Sequence, residues 1–392
     1  MIKAIYILLL LCISLSGYSQ TLDSLLKSIE RNNPQIQSQA KWLETERARS
    51  RTGIYPSNPE VSFNYMWGSP DAIGNQQEFE VTQSFRFPTY YFTKAGMQEL
   101  QLEQKVLVVE KSKREILSLA YNEYCTLVWL GKREEVLNKR VNESETLLSI
   151  MQQGYDRKEF SKPAFDKARI YHLNVQNELQ KLKSEIQIHK ELLQQINGGI
   201  SLENLLILYP QNITLPDLNS ILSVVQQQNS DILIAEYNTG ITEKQVKLEN
   251  MNRLPKLEAG YKSETILNQK LQGFHTGISI PLWENKNLVK QSKLENIWSQ
   301  SYYDQVVSEV TANLKLVYAE ALASYQNYSM MKDIMESSQL SESSMQLLKS
   351  GEISFSEYIT EVQFIFESQF KYLENELNYY ISLNKLKLIV GE

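Results

Sequence analysis

Four short stretches of the chain alternate between apolar and polar residues, the pattern typical of a β-strand with one apolar and one polar face. They cover about residues 60–67, 78–87, 256–262 and 274–282. A polar segment separates the members of each pair, at residues 68–77 and 265–272, and predicts a hairpin loop. On the apolar faces of these strands we expect Val61, Phe63, Tyr65, Phe79, Val81, Phe85, Ile278 and Ile280.

Each strand pair precedes a long stretch with few helix breakers. Residues 89–153 contain two Gly and no Pro, and residues 285–350 contain neither. As helices these stretches would be about 100 Å long, and shorter returning helices are predicted over about residues 163–197 and 355–390. Apolar positions are sparse and polar segments interrupt them, which indicates antiparallel coiled coils with narrow seams rather than a buried bundle.

The two halves of the chain repeat. A further polar helical stretch is predicted before each strand pair, and Asn33 is a plausible N-cap for the first, with Pro34 at the first helical position. Matching residues 196 positions apart occur in order at the starts of these two stretches and in the first strand of each half, and the turns between the long helices match at an offset of 193. We therefore predict one domain over residues 20–392, built of tandem repeats at residues 20–199 and 213–392. The matches are Asn33 with Asn229, Pro59 with Pro255, Tyr65 with Tyr261, and Lys158, Glu159, Phe160 and Ser161 with Gly351, Glu352, Ile353 and Ser354.

The first residues predict export. Lys3 precedes an apolar segment at residues 4–15 that is too short to span a bilayer, so residues 1–19 are interpreted as a signal peptide cleaved before Gln20. Cys12 lies in this leader after Leu11, where a lipoprotein would have a small residue. Cys125 is then the one cysteine of the mature chain, and we expect it to be a small buried residue.

Composition and motifs give no support for catalysis. Lys and Arg number 40 against 46 Asp and Glu, a net charge of −6, which disfavours a dedicated nucleic-acid binder. The three His have no metal-ligand spacing, and no nucleophile, zinc-protease or phosphate-loop motif is present in the sequence. We expect no enzyme, no cofactor and no metal site.

The strands have the length and alternation of membrane strands. Four strands cannot close a barrel, and an open sheet edge is not tolerated in hydrocarbon, so strands of several chains would have to join. A soluble sheet packed on the helices explains the strand pattern equally well, and at this point both interpretations remain.

The order of helix, hairpin, long helix, turn and helix, given twice after a signal peptide, resembles the outer membrane efflux (TolC) family. The specific marks are Asn-Asn-Pro at residues 32–34, the strands that follow Pro59 and Pro255, and the Gly-x-x-Ser turn from Gly351 to Ser354. Residues 57–60 and 83–88 are further similar to the branch that serves heavy-metal efflux pumps of the RND class. One departure is Lys158, which occupies a turn position where the family usually has Gly.

The resemblance implies a mainly α fold with a small β part: long antiparallel coiled-coil helices, plus four strands per chain contributed to a trimeric twelve-stranded outer membrane β-barrel. It implies a homotrimer whose helical tunnel crosses the periplasm and meets a periplasmic adaptor (membrane fusion) protein and an inner-membrane pump. The expected function is a passive outer membrane duct for metal ions or small toxic compounds. The alternatives are a type I protein secretion duct and a periplasmic coiled-coil scaffold or adaptor without a pore.

Three groups of residues are candidate functional sites. The apolar strand residues named above would contact lipid. The turns between the long helices would contact the adaptor, through Lys158, Glu159, Phe160 and Ser161 and through Gly351, Glu352, Ile353 and Ser354. Glu357 matches an acidic position that lines the narrowest part of the tunnel in the family, and Glu361 lies one helical turn further along the same face. A threefold ring of Glu357 carboxylates would attract cations and hinder anions.

Overall fold

The computed structural model describes residues 22–70, 73–202, 208–210, 215–337 and 340–391. The predicted signal peptide and Cys12 lie outside these residues. Helices predominate, and the strands form one antiparallel sheet. Within the described residues, no helix is both long enough and apolar enough to cross a membrane.

The elements occur in the same order in both halves of the chain. In the first half they are α1 (Leu22–Asn32), α2 (Pro34–Arg49), β1 (Glu60–Met66), β2 (Gln76–Phe85), α3 (Pro88–Asp156) and α4 (Lys162–Ile196). In the second half they are α5 (Leu218–Gln228), α6 (Ser230–Met251), β3 (Lys256–Ile266), β4 (Gln269–Ser279), α7 (Leu288–Ser337), α8 (Leu340–Ser350) and α9 (Phe355–Val390).

The predicted long helices are present. α3 runs unbroken for 69 residues, and the returning helices α4 and α9 begin and end within one residue of the predicted bounds. In the second half, α7 and α8 cover most of the predicted stretch, and residues 338–339 between them lie outside the described residues. α1 and α5 are separate helices that the sequence pattern did not predict.

An asparagine begins the second helix of each half. The Asn33 side-chain oxygen accepts hydrogen bonds from the N–H groups of Gln35 and Ile36, at 2.9 and 3.0 Å. Asn229 accepts the same pair of bonds from Asp231 and Ile232, at 2.9 and 3.2 Å. Because the first N–H groups of a helix have no partner within it, a side-chain acceptor here ends one helix and starts the next.

The hairpin loops are shorter than predicted. β2 already begins at Gln76, and β3 and β4 are joined by Leu267 and Asn268 alone, so the loop prediction for residues 265–272 was wrong. Both turn residues have positive φ, 49° and 61°. Such two-residue turns match the twist of an antiparallel pair and usually contain Gly, whose absence hid the turn in the sequence.

The described residues divide into two compact units, and each unit takes segments from both halves of the chain. The first takes its described residues from the ranges Met1–Ser38, Ser112–Val225 and Ala312–Glu392, and the second takes them from Gln39–Lys111 and Gln226–Thr311. The helices α3 and α7 contribute to both. The boundaries of the tandem repeats stay a prediction.

The first unit has its main core where α1, α3 and α4 pack together. Leu25, Ile29, Ala120, Cys125 and Leu193 are fully buried there. A second cluster includes Leu147, Met151, Tyr358 and Phe366 of α3 and α9.

The second unit contains the sheet and two small clusters of buried helical residues. Met97 of α3 packs against Ile241 and Leu248 of α6. Ile232 and Ala235, also of α6, pack against Val306 of α7. The buried Glu46 of α2 pairs with Arg49 and with Lys105 of α3, and the hydrogen bond from Lys105 lowers the pKa of its carboxyl.

Candidate functional site

The register of the sheet collects the predicted apolar residues on one face. Strand order is β1-β2-β3-β4, and residues directly opposite each other in antiparallel strands share a face. Phe63 lies opposite Phe79, and Leu257 lies opposite both Phe85 and Ile278. One row across all four strands consists of Val61, Val81, Tyr261 and Phe274.

Much of this apolar face is exposed. Relative exposure is 66% for Val61, 64% for Phe63 and 66% for Ile278, and it reaches 90% for Phe274. Of the other predicted residues, Tyr65 and Phe79 are exposed, and Val81 and Phe85 are half-buried. Ile280 is exposed as well but lies one residue beyond the end of β4, so its assignment to a strand was wrong. An exposed contiguous apolar surface on a protein marks a binding or membrane surface.

The opposite face of the sheet is charged. It carries Glu78, Glu80, Glu258, Lys262 and His275. Lys262 pairs with Glu78, and the His275 Nε2 atom lies 3.4 Å from Glu258 and 3.6 Å from Glu80. The sequence predicted this polar face but not its ion pairs, since they join residues of different strands.

The two candidate adaptor turns have the same backbone structure. In the second turn the Gly351 N–H donates to Leu348 at 3.2 Å, and the Glu352 N–H donates to Leu347 at 3.0 Å. In the first turn the Lys158 N–H donates to Tyr155 at 2.9 Å, and the Glu159 N–H donates to Gly154 at 2.8 Å. This is the C-cap arrangement that ends a helix with a left-handed residue. The matches at an offset of 193 are therefore structurally equivalent positions.

The left-handed position is occupied by different residues in the two turns. φ is 78° at Gly351 and 63° at Lys158. A side chain makes this conformation unfavourable, and Gly removes the penalty. Lys158, where the family usually has Gly, is therefore a strained residue in the structure.

The two turns also differ at a second pair of positions, which the sequence did not reveal. A Cβ atom on Gly154 would lie 2.1 Å from the Phe160 ring, so the ring covers the space that a side chain would need. In the other turn Leu347 occupies the position of Gly154, and the smaller Ile353 occupies the position of Phe160. Phe160 is 37% exposed, whereas Ile353 is half-buried and packs against the cluster that contains Tyr358.

The candidate gate residues lie in the first two turns of α9, and both are exposed. Glu357 forms a capping box with Ser354: its carboxylate accepts from the Ser354 N–H at 2.7 Å, and its own N–H donates to the Ser354 hydroxyl at 3.2 Å. The hydrogen bond from the Ser354 backbone N–H lowers the pKa of Glu357 most, and the one with the Ser354 side chain lowers it further. Glu361 accepts from the buried Ser344 hydroxyl of α8 at 2.9 Å.

The matching turn in the first half of the chain lacks this arrangement. The position of Glu357 is occupied by Ala164, and the Ser161 side chain makes no capping hydrogen bond. Of the two turns, the one in the second half therefore holds a carboxylate in the first turn of its returning helix.

Cys125 lies in the core of the first unit, where it is fully buried, as expected, and not in a disulfide. Burial raises the pKa of its thiol to about 12, which disfavours the reactive thiolate. Among the described residues, no group of three or more His, Cys, Asp or Glu could hold a metal ion.

The fold matches several solved structures of membrane channels. CusC, whose crystal structures concern the conformational changes that accompany folding and transmembrane channel formation, matches with a TM-score of 0.78 at 14% identity. The match covers 94% of this chain and 92% of CusC. The outer membrane protein VceC of Vibrio cholerae matches at 0.78 and 12% identity, with 94% and 96% covered. The Campylobacter jejuni outer membrane channel CmeC matches at 0.79 and 13% identity, with 94% and 85% covered.

The chain has the fold of these outer membrane channels. This confirms, at the level of the fold, the resemblance to the outer membrane efflux (TolC) family and the mainly α fold class with a small β part. No family model matches the sequence, and no curated protein matches it either. At 12 to 14% identity, the similarity to these three structures lies in the fold.

Proposed function

We propose that this protein is the outer membrane channel component of a tripartite efflux system, a passive trimeric duct with no catalytic activity of its own. Metal ions or small toxic compounds would enter from an inner-membrane pump through a periplasmic adaptor. The observation that carries the proposal is the exposed apolar face of the sheet, backed on its other side by a charged face.

The two faces fit a strand layer between lipid and water. Lipid would cover Val61, Phe63, Phe274 and Ile278, while Glu78, Glu80 and Lys262 would face a water-filled interior. In a scaffold without a membrane part, the same apolar side chains would stay in water, since they are exposed in the chain itself. This difference favours the duct over the periplasmic scaffold.

The sheet also supports assembly of several copies. β1 and β4 are its edges, and each edge leaves backbone N–H and C=O groups unpaired. In hydrocarbon such groups must be paired, and joining β4 of one copy to β1 of the next satisfies them. Three copies would give the twelve strands that the family resemblance implies, in the outer membrane, with the helices forming the periplasmic tunnel.

The turns that contain Lys158 and Gly351 are the proposed adaptor contacts. Each is short and polar, with Phe160 exposed in the first turn and part of Ile353 accessible in the second. A Gly351→Pro change is incompatible with the φ of 78° and removes the N–H that donates to Leu348. We expect it to abolish efflux while the trimer still forms, and unchanged efflux would exclude the second tip as a contact.

Fractionation tests the duct proposal. The protein should stay with outer membranes after a high-salt wash and migrate in electrophoresis as a trimer that heating dissociates. A scaffold held by surface charges would be released by salt, because salt screens such contacts. Release of the chain as a soluble monomer would contradict the proposal.

A further inference from the structure

The helix α6 lies between α3 and α7 in the second unit. On one side the Gln104 side chain of α3 donates to the Ile234 carbonyl of α6 at 3.0 Å. On the other side Thr242 of α6 and Ser299 of α7 share a hydroxyl hydrogen bond of 2.8 Å. α6 therefore contacts both of the other helices.

A groove runs over α6 and is lined by residues of all three helices. Its volume is about 770 Å³. Leu233, Glu236, Tyr237 and Gly240 lie on one face of α6, because their spacing follows the helical repeat. Gly240 has no side chain, so the groove is deep there, and a Cβ atom would meet only the tip of Leu100, at 3.3 Å.

The groove combines an apolar floor with an acidic rim. Leu100, Leu233 and Tyr303 are half-buried. Each of the three helices adds one exposed carboxylate, and none of the described lining residues is basic. The carboxylates are Glu103, Glu236 and Asp304. Tyr237 also lines the groove. Burial raises the pKa of its hydroxyl, and a hydrogen bond with Glu103 raises that pKa further.

We propose that this groove binds hydrophobic organic cations that contain aromatic rings. Rings would pack on the leucines and stack on the tyrosines, while the positive charge would lie near the three carboxylates. The same rim repels hydrophobic anions. A bare metal ion fits less well, because the carboxylates are exposed and the floor offers it no ligand.

The inference deepens the proposed function by naming a cargo class for the duct, and in that respect it rests on that function. Binding itself is measured on the purified full-length chain and needs no efflux. A failure of the groove is therefore distinguishable from a failure of the duct, which fractionation tests.

The test uses ethidium, an aromatic cation whose fluorescence rises in an apolar site, and anilinonaphthalene sulfonate as an anion of similar size. Both are titrated into detergent-purified protein at low salt. We expect ethidium to bind and the anion to bind at least about tenfold more weakly, since the rim attracts one and repels the other. The triple variant Glu103→Gln, Glu236→Gln, Asp304→Asn should lower ethidium affinity by about tenfold.

Two further variants separate binding from folding. Gly240→Phe fills the groove without changing charge and should abolish ethidium binding, whereas Gly240→Ala should retain it. Glu309→Gln removes an exposed carboxylate of α7 outside the groove and should leave affinity unchanged. The proposal is overturned if the wild-type protein does not bind ethidium, which is the result expected if a second copy of the chain covers the groove. It is also overturned if the triple variant binds like wild type, or if both dyes bind equally.

Discussion

At the scale of single residues, one backbone position differs between the two tip turns in a way that stability measurements can detect. Lys158 and Gly351 have the same left-handed conformation and the same hydrogen bonds. The conformation costs a residue with a side chain roughly 1–2 kcal/mol, partly offset because Gly loses more entropy on folding. A Cβ atom on Gly351 would meet nothing within 4 Å, so the backbone alone decides the effect.

We expect opposite effects from exchanging these residues. Lys158→Gly should stabilise the protein, and Gly351→Lys should destabilise it, by up to about 1 kcal/mol each. Thermal unfolding of each single variant in detergent gives the comparison. Shifts of the same sign would show that something other than φ controls the turns.

The capping box of Glu357 predicts a dependence of stability on pH. Its pKa in the folded chain lies below the ordinary value of 4.5 because Ser354 hydrogen-bonds to the carboxylate. The ionised form therefore favours the folded state. This stabilisation is complete above the ordinary pKa and is lost as pH falls through the lowered pKa.

The matched variant is Glu357→Gln, which keeps a capping partner without the charge. Wild type should melt at a higher temperature than this variant at pH 6, and the difference in melting temperature should be smaller at pH 3. A difference that is the same at both pH values would mean that the charge of Glu357 does not stabilise the helix start.

At the scale of elements, the hairpin β1–β2 offers adjacent positions on opposite faces. Phe63 pairs with Phe79 on the apolar face, and Ser62 pairs with Glu80 on the charged face. A charge at the bilayer midplane costs about 2–4 kcal/mol on a lipid-facing side chain. We expect Phe63→Arg to lower the yield of trimer in membranes and Ser62→Arg to leave it unchanged. Equal yields would place the hairpin outside the bilayer.

Elements were predictable where a local rule decides them. Pro34 after Asn33 marks a helix start, and the long stretch without Pro marks α3. The hairpin turn at Leu267 and Asn268 was missed because neither residue is Gly, and its conformation depends on strand pairing. α1 was missed although Leu25 and Ile29 are fully buried, because it is short and joins α2 at the Asn33 cap.

The candidate sites were predictable to different degrees. Alternation alone placed Phe63 and Ile278 on the apolar face, and only Ile280 fell beyond its strand. The partner of Glu361, Ser344, lies 17 residues earlier on another helix, and the groove over α6 joins residues from three helices. Contacts between elements distant in sequence leave no local pattern, so a single sequence does not reveal them.

At the scale of the whole molecule, the proposed gate predicts ion selectivity. In a threefold assembly Glu357 would form a ring of carboxylates, with Glu361 one turn away. Because Gln keeps the capping box, Glu357→Gln isolates the charge from the helix start. Cation selectivity and blockade by multivalent cations in planar bilayers should weaken in this variant and weaken further with Glu361→Gln. Wild-type behaviour of the double variant would place the acidic ring elsewhere.

The central claim is that the apolar face of the sheet contacts lipid and the charged face contacts water. The Cys125 thiol is buried and its pKa is raised to about 12, so it should not react with a label, and Cys12 belongs to the predicted signal peptide. Phe63→Cys and Ser62→Cys can therefore each carry one fluorophore. In vesicles, nitroxide-labelled lipid should quench the label at position 63, and aqueous iodide should quench the label at position 62. Strong iodide quenching and no lipid quenching at both positions would contradict the account.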